Sequence, residues 1–420
     1  MQVARNSHKG ADVIIIGGGV IGLTTGWKLS LAGHSVLLFD AFENSDENDP
    51  FGFENKLAPA SLAAAGMLAP SFEIRAEKKL NKSPSDESSE KTYRNHQALC
   101  WKSLHLWEGF AHHLEDYCGM PVDFSKTGTI GVCRADEVEA LRQSYDNFRA
   151  EGRNIEWLER SDLHRLEPGL NSALVAGYYS PDEKQIDPHL LVKALRSAFV
   201  KAGGRIMQPW HVGSICHHNN LVTGVMACAL DRNNPANQPQ KQSKFSAPSV
   251  LIASGVALTQ LKTDFPLPTI FPVKGEALAL NMKGKSLDEP IVRHVIRHPE
   301  VYLCPKREGR LIVGATSIPR NSERKINPDA IAQLHGLATN LVPAIKHLPE
   351  KYRWLGLRPG TPSGLPYIGL PEEKSSIPQG LYFAAGHHRN GILLGPATAE
   401  KLVSLVNKTK TDIPDIAFHL

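Results

Sequence analysis

The sequence has no long uninterrupted apolar run, and this excludes a hydrophobic transmembrane helix. No stretch reaches the roughly 18 apolar residues that such a span requires. The first ten residues, Met1 to Gly10, are polar with scattered basic side chains and lack the apolar segment of a secretory signal. We therefore expect a cytoplasmic protein.

Cysteine is also scarce, and the few that are present form no C-x-x-C pair. Widely separated thiols in a chain without an export signal favour buried, reduced residues, so we expect neither a disulfide framework nor a zinc site. The doublets His112-His113 and His217-His218 favour ordinary surface or core histidines, because adjacent side chains point in different directions. The six cysteines are Cys100, Cys118, Cys133, Cys216, Cys228 and Cys304.

A strong charge of one sign is missing as well. The formal net charge is +4, and the mild basic excess is spread along the chain, which argues against a dedicated nucleic-acid surface. The 420 residues are too many for one simple core and fit two domains. A hydrophobic fraction of 41% is typical of a globular enzyme.

One stretch near the start of the sequence predicts a nucleotide site. The β-branched run Val13–Ile16 predicts a buried parallel strand, and Gly17-x-Gly19-x-x-Gly22 follows it directly. These glycines give a tight turn, a bare backbone that a pyrophosphate can approach, and a helix start with unpaired N–H groups. A second predicted strand ends in Asp40, about 20 residues on, where a carboxylate can accept from ribose hydroxyls. A tight turn without a ligand is the alternative, and NAD and FAD are both compatible.

The remaining pattern predicts an α/β fold with a Rossmann-like nucleotide-binding domain and a discontinuous α+β substrate domain on an antiparallel sheet. A helix capped by Asp187 begins at Pro188, and Asn327 caps another at Pro328. Phe124–Cys133 predicts a hairpin. We assign residues 10–100, 180–262 and 352–420 to the nucleotide-binding domain, and 101–179 and 263–351 to the substrate domain. Three polar stretches have no assigned role: the loops at 43–56 and 231–246, and 78–95, which resembles a mobile insert.

Two distant segments each carry an arginine in a distinctive setting. Trp354–Gly369 places Arg358 directly before a Pro-Gly turn, and Gly386–Thr398 places Arg389 at a strand-to-helix junction. With the glycine fingerprint, Ala63–Leu68 and Val301–Ala315, these segments resemble the amino-acid-oxidising flavoenzymes of the D-amino acid oxidase family. The resemblance is strongest to those members that oxidise glycine in thiamine biosynthesis.

This resemblance implies a set of cofactor contacts. The cofactor would be FAD, bound non-covalently because no cysteine stands at a matching position, and Gly386–Thr398 favours FAD over NAD because it supplies a helix start suited to the isoalloxazine. Asp40 is shorter than the glutamate common in the family. Small side chains near Ser61 would let the backbone lie along the flavin, although composition alone slightly favours an ordinary alanine-rich helical turn. The implied FAD residues are Gly17, Gly19, Val20, Ile21, Gly22, Asp40, Ala41, Ser61, Ala65, Gly66, Met67, Val212, His388, Arg389, Asn390, Gly391 and Ile392.

The substrate residues implied by the resemblance are three. Arg358 would clamp the amino-acid carboxylate through its planar fork, although an arginine before Pro-Gly without the resemblance indicates a surface loop. Tyr302 would place a hydroxyl near the carboxylate or amine, with a plain core tyrosine as the alternative. Arg389 would be a second positive group. Ser317 and Glu300 depart from the residues expected there and leave substrate size and amine protonation open.

The implied activity is oxidative deamination of glycine and other small amino acids, with dioxygen as acceptor and the imine used by a thiazole synthase. A D-amino acid dehydrogenase that reduces a quinone or carrier is the nearest alternative. An RNA-modifying flavoprotein would require a basic face, and a flavin-binding protein without turnover would bind FAD without being reduced by amino acids. We predict no nucleic-acid partner and no metal, and leave homo-oligomerisation open.

Overall fold

The computed structural model describes residues 10–42, 57–72, 87–230, 242–282, 291–370, 376–414 and 416. Its secondary structure is mixed, with long helices on one side of the molecule and many short strands. The strands are β1 (Val13–Ile16), β2 (Val36–Phe39), β3 (Leu57–Ala58), β4 (Met67–Leu68), β5 (Thr129–Cys133), β6 (Glu156–Glu159), β7 (Ala176–Ser180), β8 (Lys184–Gln185), β9 (Arg205–Met207), β10 (Trp210–His218), β11 (Leu221–Ala229), β12 (Ser243–Ser246), β13 (Ser249–Ile252), β14 (Phe271–Asn281), β15 (Val295–Arg297), β16 (Tyr302–Pro305), β17 (Arg310–Gly314), β18 (Ile318–Pro319), β19 (Glu350–Gly360), β20 (Tyr367–Gly369) and β21 (Leu381–Ala385).

The α-helices follow the periodic and capping signals of the sequence. Asp187 accepts from the backbone N–H groups of His189 and Leu190, and Asn327 accepts from that of Asp329, so both predicted caps are present. The helices are α1 (Val20–Leu31), α2 (Ala60–Ala63), α3 (Glu87–Cys118), α4 (Val138–Ala150), α5 (Arg160–Leu166), α6 (Pro188–Lys201), α7 (Pro328–Leu341) and α8 (Gly391–Asn407). Three short 3₁₀ segments are Ala135–Glu137, Gly255–Gln260 and Pro343–His347.

A six-stranded sheet forms the nucleotide-binding half, in the order β20-β21-β13-β1-β2-β9. All its neighbouring pairs are parallel except β20 with β21. Because side chains alternate along a strand, those of β1 pack into two different hydrophobic cores. Val13 and Ile15 pack with the helices α1, α3, α6 and α8, whereas Ile14 and Ile16 pack with the three-stranded sheet β10-β11-β12 on the opposite face. The sheet is therefore covered on both faces, as a buried parallel sheet requires.

The second half is built on a ten-stranded sheet in the order β3-β19-β14-β17-β16-β15-β5-β7-β6, with β18 paired to β14. Its pairs are antiparallel apart from β15 with β5 and β19 with β3. Helix α7 packs on one face through Ile331 and Leu334. The antiparallel sheet predicted for the substrate side is therefore present, and the α/β fold class is confirmed.

Three stretches lie in a different half from the one predicted for them, and the shortest is 57–58, which forms β3 of the ten-stranded sheet. Residues 101–118 belong to α3, which packs on the nucleotide-binding side: the Ser103 hydroxyl donates to Leu393 O at 2.6 Å and accepts from Ala397 N at 3.3 Å. It thus bridges α8 where Pro396 interrupts that helix. Residues 352–360 lie in β19, between β3 and β14 of the ten-stranded sheet.

Two local predictions are also corrected. Only Thr129–Cys133 of the predicted hairpin is a strand, because β5 pairs with β7 and β15, and Ser125 bridges to Gln185 instead. In the stretch 78–95, residues 87–95 are helical within α3, and 78–86 lie outside the described residues. The predicted loop at 43–56 lies outside them as well. Of the loop at 231–246, residues 243–246 form β12 and 231–241 are not described.

Candidate active site

The glycine turn between β1 and α1 brings backbone segments closer together than side chains would allow. Gly17 has φ +110°, which only glycine adopts freely, and a Cβ at Gly22 would lie 1.9 Å from the carbonyl oxygen of Gly17. The helix N-terminus has no side-chain cap of its own. Instead, the hydroxyl of Ser61 accepts from Val20 N at 2.9 Å. The turn is thus held from outside by the segment that was predicted to run along a flavin.

Asp40 stands at the carboxyl end of β2, beside this turn. Its Oδ1 accepts from Phe42 N at 3.0 Å, and a Cβ on Gly18 would lie 2.3 Å from its Oδ2. Burial raises the pKa of Asp40, opposed by backbone hydrogen bonds at Phe42 and Gly18 and by the charge of Arg196. Arg196 belongs to α6 and was not identified from the sequence, because no motif surrounds it.

A cavity of about 490 Å³ extends from this turn to the start of α8. Its walls come from both halves of the fold, and it is large enough to take an elongated ligand. Of the predicted cofactor residues, those that line it are Gly17, Gly19, Val20, Ile21, Asp40, Ala41, Ser61, His388, Arg389, Gly391 and Ile392.

The far end of this cavity is the junction between β21 and α8. His388 and Asn390 are buried there, and His388 has φ +48°. The backbone N–H of His388 donates to Pro359 O at 3.1 Å, which ties the junction to the strand that carries Arg358. Helix α8 begins at Gly391 and directs its N-terminus to this end, so negative charge is stabilised there.

A second, smaller cavity of about 70 Å³ adjoins the first, since Ala60, Ala64, His388, Arg389 and Ile392 line both. All three predicted substrate residues meet in its wall. Small residues make up much of the rest. The lining residues not shared with the larger cavity are Ala63, Ala65, Gly66, Met67, Gly275, Ala277, Tyr302, Ala315, Gly356 and Arg358.

Arg358 lies in the extended strand β19 and not before a Pro-Gly turn as predicted. Pro359 pairs with Pro272 of β14 in the register of the sheet. The guanidinium lies across Gly275, and its Nη1 donates to Thr316 O at 3.1 Å. The arginine predicted to bind the carboxylate therefore lies in a strand and has a backbone hydrogen-bond partner.

Tyr302 faces the same cavity from β16. Its ring lies over Gly314 of β17, where a Cβ would come 2.3 Å from the phenol oxygen. Burial raises the pKa of Tyr302, opposed by the charges of Arg358, Arg297 and Arg389. The phenol is therefore protonated at neutral pH and can donate a hydrogen bond.

A buried charged group behind Tyr302 and Met67 was missed from the sequence. Arg297 Nη1 donates to Met67 Sδ at 3.7 Å, and its guanidinium lies 5.5 Å from the centroid of the Tyr302 ring. Burial raises the pKa of Glu183 to about 7. The positive charge of Arg297 opposes this shift but does not outweigh it. The Oε1 of Glu183 accepts from Ser71 N and Oγ. These residues are distant in sequence and form no motif.

Three predicted cofactor residues line neither cavity. Gly22 packs on the backbone of Gly17, and Asn390 is the buried residue that precedes α8. Val212 is buried in β10, where it pairs with Ala227. Ser317 is exposed, and the half-exposed Glu300 approaches His298, and neither lines the smaller cavity.

Membrane-spanning helices and metal-binding clusters are both absent from the described residues. No helix there is long and apolar enough to cross a membrane. No group of three His, Cys, Asp or Glu side chains there could hold a metal ion.

Comparison with known proteins agrees with this geometry. The family model described as FAD dependent oxidoreductase matches residues 12–405. Glycine oxidase of Geobacillus kaustophilus is 30% identical over 412 residues, covering 97% of this chain and 96% of that protein. The bifunctional protein ThiO/ThiG of Synechocystis sp. is 31% identical over 396 residues, covering 94% of this chain and 51% of that protein. The chain thus spans about half the length of such bifunctional relatives.

Solved structures show the same fold. The crystal structure of glycine oxidase from Geobacillus kaustophilus matches with a TM-score of 0.80 at 28% identity and covers 97% of both chains. Glycine oxidase from Bacillus cereus matches with a TM-score of 0.77 at 25% identity, over 96% of both chains.

Proposed function

This chain belongs to the FAD dependent oxidoreductase family, and on that basis we propose that it oxidises the carbon–nitrogen bond of glycine and other small amino acids. The proposed reaction converts glycine, dioxygen and water into glyoxylate, ammonia and hydrogen peroxide. The observation that supports it most strongly is the joint presence of Arg358, Arg389 and Tyr302 in a small cavity beside the cofactor cavity.

The larger cavity fits FAD because its wall includes the glycine turn, whose backbone carries no side chain and where a Cβ on Gly17 would lie 2.4 Å from the carbonyl oxygen of Ala253. The bare backbone of Gly17 and Gly19, with the N-terminus of α1, would hold the pyrophosphate, and Asp40 would meet the ribose. Arg389 and Gly391 would lie beside the flavin. When bound, FAD accepts the electrons removed from the substrate. The described residues lining the two cavities include no cysteine, which supports non-covalent binding.

Arg358 would bind the substrate carboxylate. A guanidinium matches a carboxylate with two parallel hydrogen bonds, and this fixes the position of the α-carbon beside the cofactor cavity. The contact of Nη1 with Thr316 O limits the rotation of the guanidinium. The protonated phenol of Tyr302 would donate to the same carboxylate, and Arg389 would add a second positive charge.

The size of the smaller cavity supports a substrate with little or no side chain. Glycine and alanine at positions 275, 277, 315 and 356 keep its wall free of bulky groups. The cavity measures about 70 Å³, and Met67 and Tyr302 are among the larger residues in its wall, so a large side chain would displace part of that wall. Glycine, sarcosine and small D-amino acids are therefore the proposed substrates.

A partner that consumes the imine product is part of the proposal. Relatives named ThiO/ThiG join a region similar to this chain to a second region in one polypeptide. This fusion supports a functional association, which we propose is with a thiazole synthase. The imine would otherwise be hydrolysed to glyoxylate and ammonia.

Turnover of the FAD-loaded protein with glycine under air tests this function. We expect hydrogen peroxide and glyoxylate in equal amounts. Reduction of the flavin by glycine with little peroxide, and turnover only with an artificial electron acceptor, would instead indicate a dehydrogenase. Absence of flavin reduction by glycine, sarcosine, D-alanine and D-proline would contradict the proposal.

A further inference from the structure

Two charged side chains of β14 are buried directly behind the smaller cavity. The Lys274 side chain is 1% exposed and that of Glu276 is not exposed at all. They flank Gly275, the residue that Arg358 covers. Burying a charge costs free energy unless the charge is paired and hydrogen-bonded, so both side chains need partners in the folded protein.

Glu276 joins the two ends of the segment 316–327, which leads from β17 to α7. Its Oε1 accepts from Asn327 N at 2.7 Å, and its Oε2 accepts from the Thr316 hydroxyl at 3.2 Å. The same hydroxyl accepts from Glu276 N at 2.8 Å, and Thr316 N donates to Glu276 O at 3.1 Å. Three hydrogen bonds thus fix Thr316 to one residue of β14.

The Lys274 side chain lies on the same face of β14 as that of Glu276 and completes the anchor. Its Nζ donates to Lys325 O at 2.6 Å and to Glu323 Oε2 at 3.0 Å, and lies 3.1 Å from Glu276 Oε1. Burial by itself lowers the pKa of Lys274, but the hydrogen bonds to Glu323 and Glu276 outweigh this and raise it. The cation therefore stays charged and compensates Glu276.

The anchored segment holds the clamp residue through a backbone atom. The carbonyl oxygen of Thr316 accepts from Arg358 Nη1 at 3.1 Å. An arginine side chain has several rotatable bonds, so a fixed acceptor at one nitrogen limits the directions of the others. Three hydrogen bonds to Glu276 in turn hold Thr316, and one of them goes to the Glu276 side chain.

We propose that Glu276, acting through Thr316, is a positioning residue that orients the Arg358 guanidinium for a substrate carboxylate. This inference rests on the proposed function, since it assigns a purpose to the clamp. Glu276 itself does not line either cavity and does not touch the substrate. Its proposed effect is on carboxylate affinity.

The test compares Thr316→Val, which removes the hydroxyl and keeps the shape, with Thr316→Ser, which keeps the hydroxyl. Thr339→Val is a matched control, because its hydroxyl donates to His335 O within α7 and the residue lines neither cavity. For each variant the KM and kcat for glycine, the dissociation constant of glycolate from its perturbation of the flavin spectrum, the FAD affinity and the Tm are measured. Glycolate carries the carboxylate of glycine without its amine.

We expect Thr316→Val to raise the KM for glycine and the glycolate dissociation constant about tenfold, with kcat and FAD affinity little changed. Glu276→Gln should act in the same direction, while Thr316→Ser and Thr339→Val remain close to the parent in affinity. In a protein that already carries Arg358→Lys, adding Thr316→Val should cause no further rise in the KM for glycine or in the glycolate dissociation constant. This loss of the effect is the sign that Thr316 acts through Arg358.

Glycolate affinities that are unchanged in both Thr316→Val and Glu276→Gln, while Arg358→Lys weakens glycolate binding, would overturn the positioning role alone. So would a lower Tm with unchanged affinity, since that outcome indicates a purely structural anchor. If glycine fails to reduce the flavin of the parent protein, the proposed function fails instead. The glycolate measurements then still decide whether Glu276 and Thr316 act on Arg358.

Discussion

The guanidinium of Arg358 lies across Gly275 on the neighbouring strand, and a Cβ on that glycine would come within 2.2 Å of Nη1. The absence of a side chain at Gly275 therefore provides the space that the Arg358 guanidinium occupies. Because an arginine head group can move whereas the strand backbone cannot, Gly275→Ala should displace the guanidinium and preserve the fold.

For Gly275→Ala we predict a fall in kcat/KM for glycine of about 10²-fold, since a displacement of about 1 Å at a reacting centre has that effect. FAD should still bind. Gly336→Ala is the control, because nothing lies within 4 Å of a Cβ at that helical position. Unchanged steady-state kinetics in Gly275→Ala would show that turnover of glycine does not depend on the position of the Arg358 guanidinium over residue 275.

Arg358→Lys tests whether the planar fork itself is needed. Lysine keeps the charge but makes no bidentate contact and cannot reach both Thr316 O and a carboxylate. We predict a loss of about 3 kcal/mol, or about 10²-fold in kcat/KM, as for a partner removed from a buried charge pair. The measurement is steady-state kinetics at saturating FAD. If the lysine variant is as active as the parent, the substrate carboxylate does not bind to the Arg358 guanidinium.

Gly18→Ala tests the role of Asp40 in cofactor binding. A Cβ at residue 18 would lie 2.3 Å from Asp40 Oδ2, so the carboxylate must leave its position beside the glycine turn. Loss of its hydrogen bond to the ribose should weaken FAD binding about tenfold, which is measured by quenching of FAD fluorescence. Gly109→Ala, a change at an open site in α3, should leave FAD affinity unchanged. Equal FAD affinity in both variants would contradict the role of Asp40.

Glu183→Gln should change how stability depends on pH. Burial raises the pKa of Glu183 to about 7 from an ordinary value of 4.5. Between these values the unfolded chain loses a proton that the folded protein keeps, so the free energy of unfolding falls as the pH rises from 4.5 to 7. The contribution is about 3 kcal/mol and is constant above pH 7.

The glutamine variant lacks this titration but retains an acceptor for Ser71. Its stability relative to the parent should therefore increase across that pH interval in urea unfolding. The exposed Glu139→Gln is the control for the loss of a carboxylate. Parallel stability profiles of Glu183→Gln and the parent would show that Glu183 ionises normally in the folded protein.

Local signals allowed much of the nucleotide-binding half to be predicted. The β-branched run Val13–Ile16, the glycine turn after it and the Asp187 cap all lie where the sequence indicates, and so does the Asn327 cap of α7 in the other half. Each depends on contacts between residues close in sequence, so the pattern itself carries the information.

Predictions that depended on tertiary pairing were less successful. Pro359 indicated a turn, but it is tolerated in β19 because the neighbouring strand β3 pairs only with Leu355 and Gly356, so the missing N–H breaks no bond of that ladder. The buried Lys274, Glu276 and Arg297 were not singled out, because nothing in a single sequence distinguishes a buried charge from a surface one.

Anaerobic addition of glycine to the FAD-loaded protein tests the central claim most directly, because it isolates substrate oxidation from the reaction with oxygen. We predict that the visible flavin absorbance of the parent is bleached. In Arg358→Met the bleaching should be at least about 10²-fold slower at the same glycine concentration, with FAD still bound. An oxidised spectrum that persists in the parent with glycine, sarcosine and D-alanine, or equal bleaching rates in the parent and Arg358→Met, would contradict the account.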